Sequence, residues 1–170
     1  MPAFLEQVFN DALAAHKNIL VVGGTGSGKT TFVNALIKSL SEICPTDRLL
    51  ILEDTLELQS ASENVEFLRT SLTVDLLMLL KICMRKRPDR IIIGEARGGE
   101  ALSLLKAWNT GHPGGIATIH ANSAFEGIER LEELIAEATP ASKARLIGSG
   151  IDMIIYIERA PGIGRRIKEV

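Results

Sequence analysis

The hydrophobic pattern at the start of the chain predicts a helix, a strand and a second helix. Apolar residues recur at helical spacing over residues 4–13, and we expect this helix to end near His16. The short apolar run at residues 18–22 leads directly into glycines, which is typical of a buried strand. After the glycines, helical spacing resumes over residues 32–40. The order is therefore strand, glycine loop, helix.

The rest of the chain alternates in the same way. Apolar runs predict further strands at residues 48–52, 65–68, 90–93, 114–119, 151–157 and 165–170. Helical spacing predicts helices at residues 72–84, 101–108 and 125–137 and a short one opening at Pro140. Residues 160–164 predict the turn of a closing hairpin. Continuous apolar strands that alternate with helices indicate an α/β fold, with a mainly parallel central sheet flanked by helices.

The glycine loop carries the first candidate chemistry. Residues 23–30, Gly-Gly-Thr-Gly-Ser-Gly-Lys-Thr, satisfy the phosphate-loop pattern Gly-x-x-x-x-Gly-Lys-Ser/Thr. Its glycines allow backbone N–H groups to turn toward a phosphate, and the helix that follows adds its N-terminal dipole. We expect Lys29 to reach the β and γ phosphates of ATP, the Thr30 hydroxyl to ligate Mg²⁺ and Thr31 to bond the α phosphate. The predicted nucleotide-binding residues are Gly24, Thr25, Gly26, Ser27, Gly28, Lys29, Thr30 and Thr31.

Acidic residues that follow two predicted strands are candidates for hydrolysis. Glu95 comes after Gly94 at the end of an isoleucine strand, where a Walker B motif would stand without its usual aspartate. Glu53 and Glu57 follow another buried strand, with Asp54 between them. Because the carboxyl ends of parallel strands meet at one edge, both groups should lie beside the glycine loop. We predict Glu95, Glu53 and Glu57 as catalytic and Glu95 as a magnesium ligand with Thr30; solvated strand ends or helix caps are the alternative.

Two histidines accompany the fifth predicted strand of the chain. His112 stands in the turn before this strand and His120 at its carboxyl end, and both are placed to sense a phosphate. A structural role is the alternative for each. Because no third ligand stands at metal spacing, a zinc site is not expected.

Composition narrows the classes of partner. A net charge of −2 and a pI near 6.0 provide no overall basic field for nucleic acid or an anionic membrane. The two cysteines form no C-x-x-C pair and are expected to be reduced structural thiols in a cytosolic protein. No apolar run approaches the roughly 18 residues of a membrane-spanning helix. We therefore predict a cytoplasmic domain without direct sequence-specific nucleic-acid binding.

Taken together, four segments resemble the traffic ATPases of bacterial secretion and conjugation. They are the phosphate loop, the acidic residues 53–57, the Gly94-Glu95 pair and the histidine segment 112–120. Residues 87–91 and 107–115 look most like the conjugal-transfer members, and the resemblance runs from about residue 2 to residue 170. It implies a RecA-like P-loop NTPase that hydrolyses ATP with Mg²⁺, in which Glu95 is the Walker B glutamate, Glu53 and Glu57 are acidic-box residues and His120 is a sensor.

The resemblance also implies partners and an arrangement of domains. Family members form a hexameric ring that lies peripherally at the inner membrane and powers a type IV secretion channel. They carry an additional N-terminal domain, so residues 1–170 correspond to the C-terminal motor domain alone. With that domain absent, we expect a largely monomeric chain that binds ATP and turns it over slowly.

Other functions remain open from the sequence alone. A small-molecule kinase would need a lid segment, which is not evident. A nucleic-acid translocase would need a basic groove, for which the cluster at residues 85–90 is the candidate. A third alternative is a nucleotide-binding module with little turnover. Spacing does not rank the arginines that could act on a neighbouring subunit's site, namely Arg69, Arg85, Arg87 and Arg97.

Overall fold

The structure, a computed structural model, describes residues 2–162 and 164–170. Its strands are β1 (Ile19–Val22), β2 (Leu49–Glu53), β3 (Val65–Arg69), β4 (Arg90–Ile93), β5 (Ile116–Ile119), β6 (Met153–Ala160) and β7 (Gly164–Glu169). They form one sheet in the order β3-β2-β4-β5-β1-β6-β7. Neighbouring strands run parallel except β7, which is antiparallel to β6. The predicted mainly parallel sheet is confirmed.

Helices cover both faces of the sheet because its central strands are apolar on both sides. The helices are α1 (Ala3–Ala14), α2 (Lys29–Ile43), α3 (Leu76–Cys83), α4 (Glu100–Asn109), α5 (Ala124–Ala138) and α6 (Ala144–Gly150). On one face α1 and α2 pack through Phe9, Leu13, Val33 and Ile37. On the other face α3 to α6 pack through residues such as Leu80, Trp108, Leu131 and Ile147. None of the helices in these described ranges is long and apolar enough to cross a membrane.

Several predicted boundaries were wrong for local reasons. Helix α3 begins at Leu76 rather than residue 72, because the Asp75 side chain caps it by accepting a hydrogen bond from the Met78 N–H at 2.7 Å. Strand β5 begins at Ile116 because Gly114 adopts a positive φ of 81° and turns the chain. The helix predicted to open at Pro140 begins at Ala144. The predicted closing hairpin is present as β6 and β7, although its turn includes residue 163, outside the described ranges.

Arg90 marks the edge of the sheet at which the parallel strands begin. Its side chain is fully buried, and its Nε lies 2.5 Å from Asp47 Oδ2. The guanidinium also donates to the carbonyls of Leu13 and Gly114. These bonds neutralise a buried charge and tie three chain segments together. Polar residues lie at the opposite edge, at which the parallel strands end.

Candidate active site

A cleft of about 400 Å³ lies at the carboxyl ends of the parallel strands. The glycine loop forms its floor, and β2, β4 and β5 contribute polar side chains from their ends. Apart from His112, all but one of the residues that the sequence predicts for the site line this cleft: Gly24, Thr25, Gly26, Gly28, Lys29, Thr30, Thr31, Glu53, Glu57, Glu95 and His120. The structure therefore brings together segments that are up to about 100 residues apart in sequence.

The glycine loop is shaped as a cradle. Gly26 and Gly28 have φ values of 71° and 102°, in the left-handed region that side chains disfavour. A Cβ at Gly24 or Gly26 would meet nothing within 4 Å, so the space above the loop is open. Helix α2 begins directly at Lys29, and its first-turn N–H groups have no carbonyl partner within the helix. An open, glycine-lined helix N-terminus of this kind suits a phosphate group.

Ser27 is the predicted residue that does not line the cleft. Its side chain is 3 % exposed, and the hydroxyl has no hydrogen-bond partner among the described residues. Its N–H donates to the Gly24 carbonyl at 3.3 Å. A Cβ added at Gly23 would lie 2.5 Å from the Ser27 hydroxyl oxygen, so Ser27 fills the space beneath the loop. This geometry does not favour the predicted contact between Ser27 and a nucleotide, which stays a prediction.

Lys29, the first residue of α2, is only 8 % exposed, and its side chain turns back onto the loop. Its Nζ donates to the carbonyls of Gly23 at 2.7 Å and Gly24 at 3.1 Å, and it lies 3.3 Å from Nδ1 of His120. Burial lowers the pKa of Lys29, while the carboxylates of Glu95 and Glu57 act in the opposite direction. Lys29 thus places a desolvated positive charge at the base of the cleft.

Thr30 and the acidic segment meet on one side of the cleft. The Thr30 hydroxyl donates to Glu57 Oε2 at 2.9 Å. Glu53, which is 3 % exposed, accepts hydrogen bonds from the N–H groups of Glu57 at 2.7 Å and Leu58 at 3.3 Å. The Glu53 carboxylate therefore holds the turn that brings Glu57 to Thr30. Because this carboxylate is almost fully buried and both of its oxygens accept from backbone N–H groups, the geometry favours a positioning role for Glu53.

Glu95 is held by two neighbours at the end of β4. One carboxylate oxygen, Oε1, lies 2.7 Å from His120 Nε2. The other, Oε2, accepts from the Arg97 guanidinium through Nε at 2.7 Å and through a terminal nitrogen at 2.6 Å. Arg97 also approaches Asp54 at 3.4 Å, and its pKa is raised mainly by the hydrogen bond and the charge of Glu95. The carboxylate is thus fixed in direction while remaining at the cleft surface.

The oxygen ligands in the cleft fit a magnesium ion. Mg²⁺ prefers hydroxyl, carboxylate and water oxygens, and the Thr30 hydroxyl and the Glu57 carboxylate are such groups, 2.9 Å apart. The sequence predicted Glu95 as the carboxylate that shares the metal with Thr30. The structure instead places Glu57 beside Thr30 and directs both oxygens of Glu95 to His120 and Arg97. Glu57 is therefore a better candidate than Glu95 for a magnesium ligand.

Two further sequence interpretations change with the structure. His112 does not reach the cleft: it precedes β5 at the opposite edge, where its Nδ1 lies 2.9 Å from the Pro88 carbonyl oxygen. Arg97, a candidate for action on a neighbouring subunit, contacts Glu95 of its own chain. Arg165 lines the cleft and was missed, because no motif or spacing links it to the glycine loop.

Comparison with known proteins agrees with this geometry. Residues 1–159 match the family model described as Type II/IV secretion system protein. The chain belongs to this family. Conjugal transfer protein TrbB of Rhizobium radiobacter is 56 % identical over 159 residues, which cover 94 % of this chain and 49 % of that protein. Type IV secretion system protein PtlH of Bordetella pertussis is 40 % identical over 173 residues, which cover 94 % and 50 % respectively.

A solved structure extends the comparison to the fold. The VirB11 ATPase from the Brucella suis type IV secretion system, determined in complex with sulphate, superposes with a TM-score of 0.90 at 31 % identity. The match covers 98 % of the chain described here and 51 % of the Brucella chain. The resemblance to traffic ATPases and the α/β fold predicted from the sequence are therefore confirmed. The chain spans about half the length of the curated relatives that it matches.

Proposed function

We propose that this chain is the ATP-binding and ATP-hydrolysing motor domain of a type IV secretion or conjugal DNA-transfer system. The observation that carries the proposal is the position of Lys29. Its buried ammonium lies in a glycine cradle between the Thr30–Glu57 pair and the His120–Glu95 pair. A buried cation between phosphate-binding backbone and carboxylates matches what phosphoryl transfer requires.

Nucleotide binding follows from the contacts of Lys29. Phosphate oxygens compete with the carbonyls of Gly23 and Gly24 for the ammonium, and a charged acceptor forms the stronger hydrogen bond. The α2 N-terminus adds N–H groups to the same phosphates. Thr30 and Glu57 would hold Mg²⁺, which neutralises phosphate charge when bound.

Glu95 has a separate role in hydrolysis, which is to position the attacking water. Its carboxylate accepts a hydrogen bond from a water molecule and orients it toward the γ-phosphorus. As the new bond to the water oxygen forms, the water proton passes to the Glu95 carboxylate and the bond from the γ-phosphorus to the bridging oxygen breaks, which releases ADP and phosphate. His120 and Arg97 keep the carboxylate in this direction, and His120 also contacts Lys29.

The wider role rests on the relatives. TrbB is named for conjugal transfer and PtlH for type IV secretion. We infer that the protein acts as a homo-oligomer, a hexameric ring by resemblance. It would lie in the cytoplasm, peripherally at the inner membrane, with the other secretion components as partners. Two of the four basic residues in the cluster at 85–90 are not available to a nucleic acid, because Lys86 pairs with Glu66 at 2.6 Å and Arg90 is buried.

The test is calorimetry of ATP binding with Mg²⁺ to the wild-type chain and Lys29→Ala. Loss of a charge-assisted contact worth roughly 1.5–3 kcal/mol should weaken binding about tenfold or more. Lys38→Ala is the matched control, because Lys38 lies exposed on the same helix, and its affinity should equal that of the wild type. Equal affinities for Lys29→Ala and Lys38→Ala would contradict the assignment of the cleft.

A further inference from the structure

The hairpin of β6 and β7 extends past the end of β1 and lies beside the glycine loop. In the parallel pairing of β1 with β6, Val22, the last residue of β1, lies opposite Tyr156. The remaining residues of β6, Ile157–Ala160 in sequence, therefore continue beside the loop. A Cβ added at Gly23 would collide with the Ile157 carbonyl oxygen, which shows how closely hairpin and loop approach. A residue on this part of the hairpin can thus act at the cleft.

Arg165, at the start of β7, lies against the loop. A Cβ added at Gly28 would lie 2.7 Å from the Cδ of Arg165, and Arg165 lines the cleft together with Thr31. Glycine at position 28 therefore serves two purposes. It leaves space for the Arg165 side chain, and it adopts a left-handed backbone conformation with φ 102°. The close approach places a cationic side chain directly above the start of α2.

The two faces of the hairpin differ in their balance of charge. Arg165 lies opposite Arg159, and because opposite residues of an antiparallel pair share a face, these two arginines stand side by side. On the other face Glu158 pairs with Arg166 at 2.6 Å and with Lys168 at 3.2 Å. Among the described residues, no carboxylate lies within 4.0 Å of the charged nitrogens of Arg159 or Arg165. Two like charges directly opposite each other are unfavourable unless an anion joins them.

The order of strands in the sheet determines which end of a nucleotide Arg165 can reach. Strands β5, β4 and β2, which carry His120, Glu95 and Glu53, lie on one side of β1, and the hairpin lies on the other. The γ-phosphate must lie near Glu95, the residue proposed to orient the attacking water. Arg165 therefore approaches the phosphates from the side away from the chemistry.

We propose that Arg165 is a further nucleotide-binding residue that contacts the α-phosphate, with Arg159 adding positive charge beside it. This inference rests on the proposed function, because it assumes that the cleft holds a nucleotide. Arg165 would raise affinity for nucleoside di- and triphosphates alike, since both carry the α-phosphate, and would take no part in transfer of the γ-phosphoryl group. It would add an anion contact that the phosphate-loop pattern does not contain.

The experiment measures ATP, ADP and inorganic tripolyphosphate binding to the full chain by calorimetry, for the wild type, Arg165→Ala, Arg165→Lys and Arg166→Ala. Arg165→Ala should weaken ATP and ADP binding by the same factor, about fivefold to tenfold, and should also weaken tripolyphosphate binding. Arg165→Lys should recover part of the loss. Arg166→Ala, which removes a neighbouring arginine already paired with Glu158, should match the wild type. Circular-dichroism melting checks that each variant is folded.

Each contrary result has a defined meaning. Wild-type affinities in a folded Arg165→Ala would overturn the inference and leave the proposed function standing. Weaker ATP binding with unchanged ADP binding would place the contact at the γ-phosphate, and unchanged tripolyphosphate binding would place it at the nucleoside; either result overturns the α-phosphate assignment. Failure of the wild type itself to bind ATP would overturn the proposed function.

Discussion

Nε2 of His120 lies 2.7 Å from Oε1 of Glu95, so the ends of β5 and β4 are joined by one contact inside the cleft. The other ring nitrogen of His120, Nδ1, lies 3.3 Å from Nζ of Lys29. A neutral imidazole with its proton on Nε2 satisfies both contacts, because it donates to the carboxylate and accepts from the ammonium. Lys29, proposed to bind phosphate, and Glu95, proposed to be catalytic, are therefore linked through a single side chain.

The Glu95→Gln variant should separate chemistry from binding. The amide keeps the shape of the side chain but is a poor acceptor for the proton of an attacking water molecule. We expect ATP affinity within a few-fold of the wild type and a fall of about 10² or more in single-turnover phosphate release. Glu129→Gln, an exposed carboxylate on α5, is the control. Unchanged phosphate release in Glu95→Gln would contradict the catalytic role proposed for Glu95.

A double-mutant cycle should reveal whether His120 and Glu95 act as a unit. If His120 works by orienting the Glu95 carboxylate, its removal adds little once that carboxylate is gone. We expect His120→Ala alone to slow phosphate release, and the double variant to be no slower than Glu95→Gln. The measurement is single-turnover phosphate release for the four proteins. Losses that multiply would show that the two side chains act independently.

Local pattern was enough to predict most of this site. The strand at residues 90–93 was predicted with the bounds that the structure shows, because three consecutive isoleucines follow Arg90 and end at a glycine and an acid. The carboxyl-edge argument then placed Glu53, Glu57 and Glu95 beside the glycine loop, as the cleft lining confirms. These features depend on sequence neighbours and on the general geometry of parallel sheets.

Other features depend on tertiary contacts that no local pattern reports. The contact of Glu95 with His120 depends on the relative position of the ends of β4 and β5. Arg165 reaches the loop only because the last hairpin pairs with β1 rather than with β3 at the far edge of the sheet. His112 and His120 flank β5 at its two ends, and they therefore lie at opposite edges of the sheet.

Removal of the Glu53 carboxylate should destabilise the fold as well as the site. Glu53→Ala leaves the N–H groups of Glu57 and Leu58 without their acceptor, in a turn whose residues 54–57 are exposed and whose Leu58 is buried, a loss of about 1–3 kcal/mol. Glu53→Gln retains one acceptor oxygen and should lose less. Urea unfolding measures both, with Glu63→Ala, an exposed acid in the loop before β3, as the control. A Glu53→Ala midpoint equal to that of the control would contradict the positioning role.

The last prediction concerns the stability cost of a buried lysine. Burial lowers the pKa of Lys29, so the folded chain binds this proton less tightly than the unfolded chain does. Replacement by methionine keeps the apolar stem and removes the desolvated charge. We expect Lys29→Met to unfold at a temperature a few degrees higher than the wild type at neutral pH, where roughly 1 kcal/mol corresponds to about 2–4 °C, while ATP binding is lost.

The sign of the pH dependence tests the cause. Between the lowered pKa of folded Lys29 and its ordinary value of 10.5, the unfolded chain holds more protons, so wild-type stability gains from this group as pH rises. Lys29→Met lacks that gain, and the difference in unfolding temperature between Lys29→Met and the wild type should therefore decrease as the pH rises through this window. Thermal unfolding of both proteins from neutral to alkaline pH measures the difference, with Lys38→Met as the exposed control. A Lys29→Met chain that is less stable at neutral pH, or an advantage that grows with pH, would show that the buried ammonium stabilises the loop.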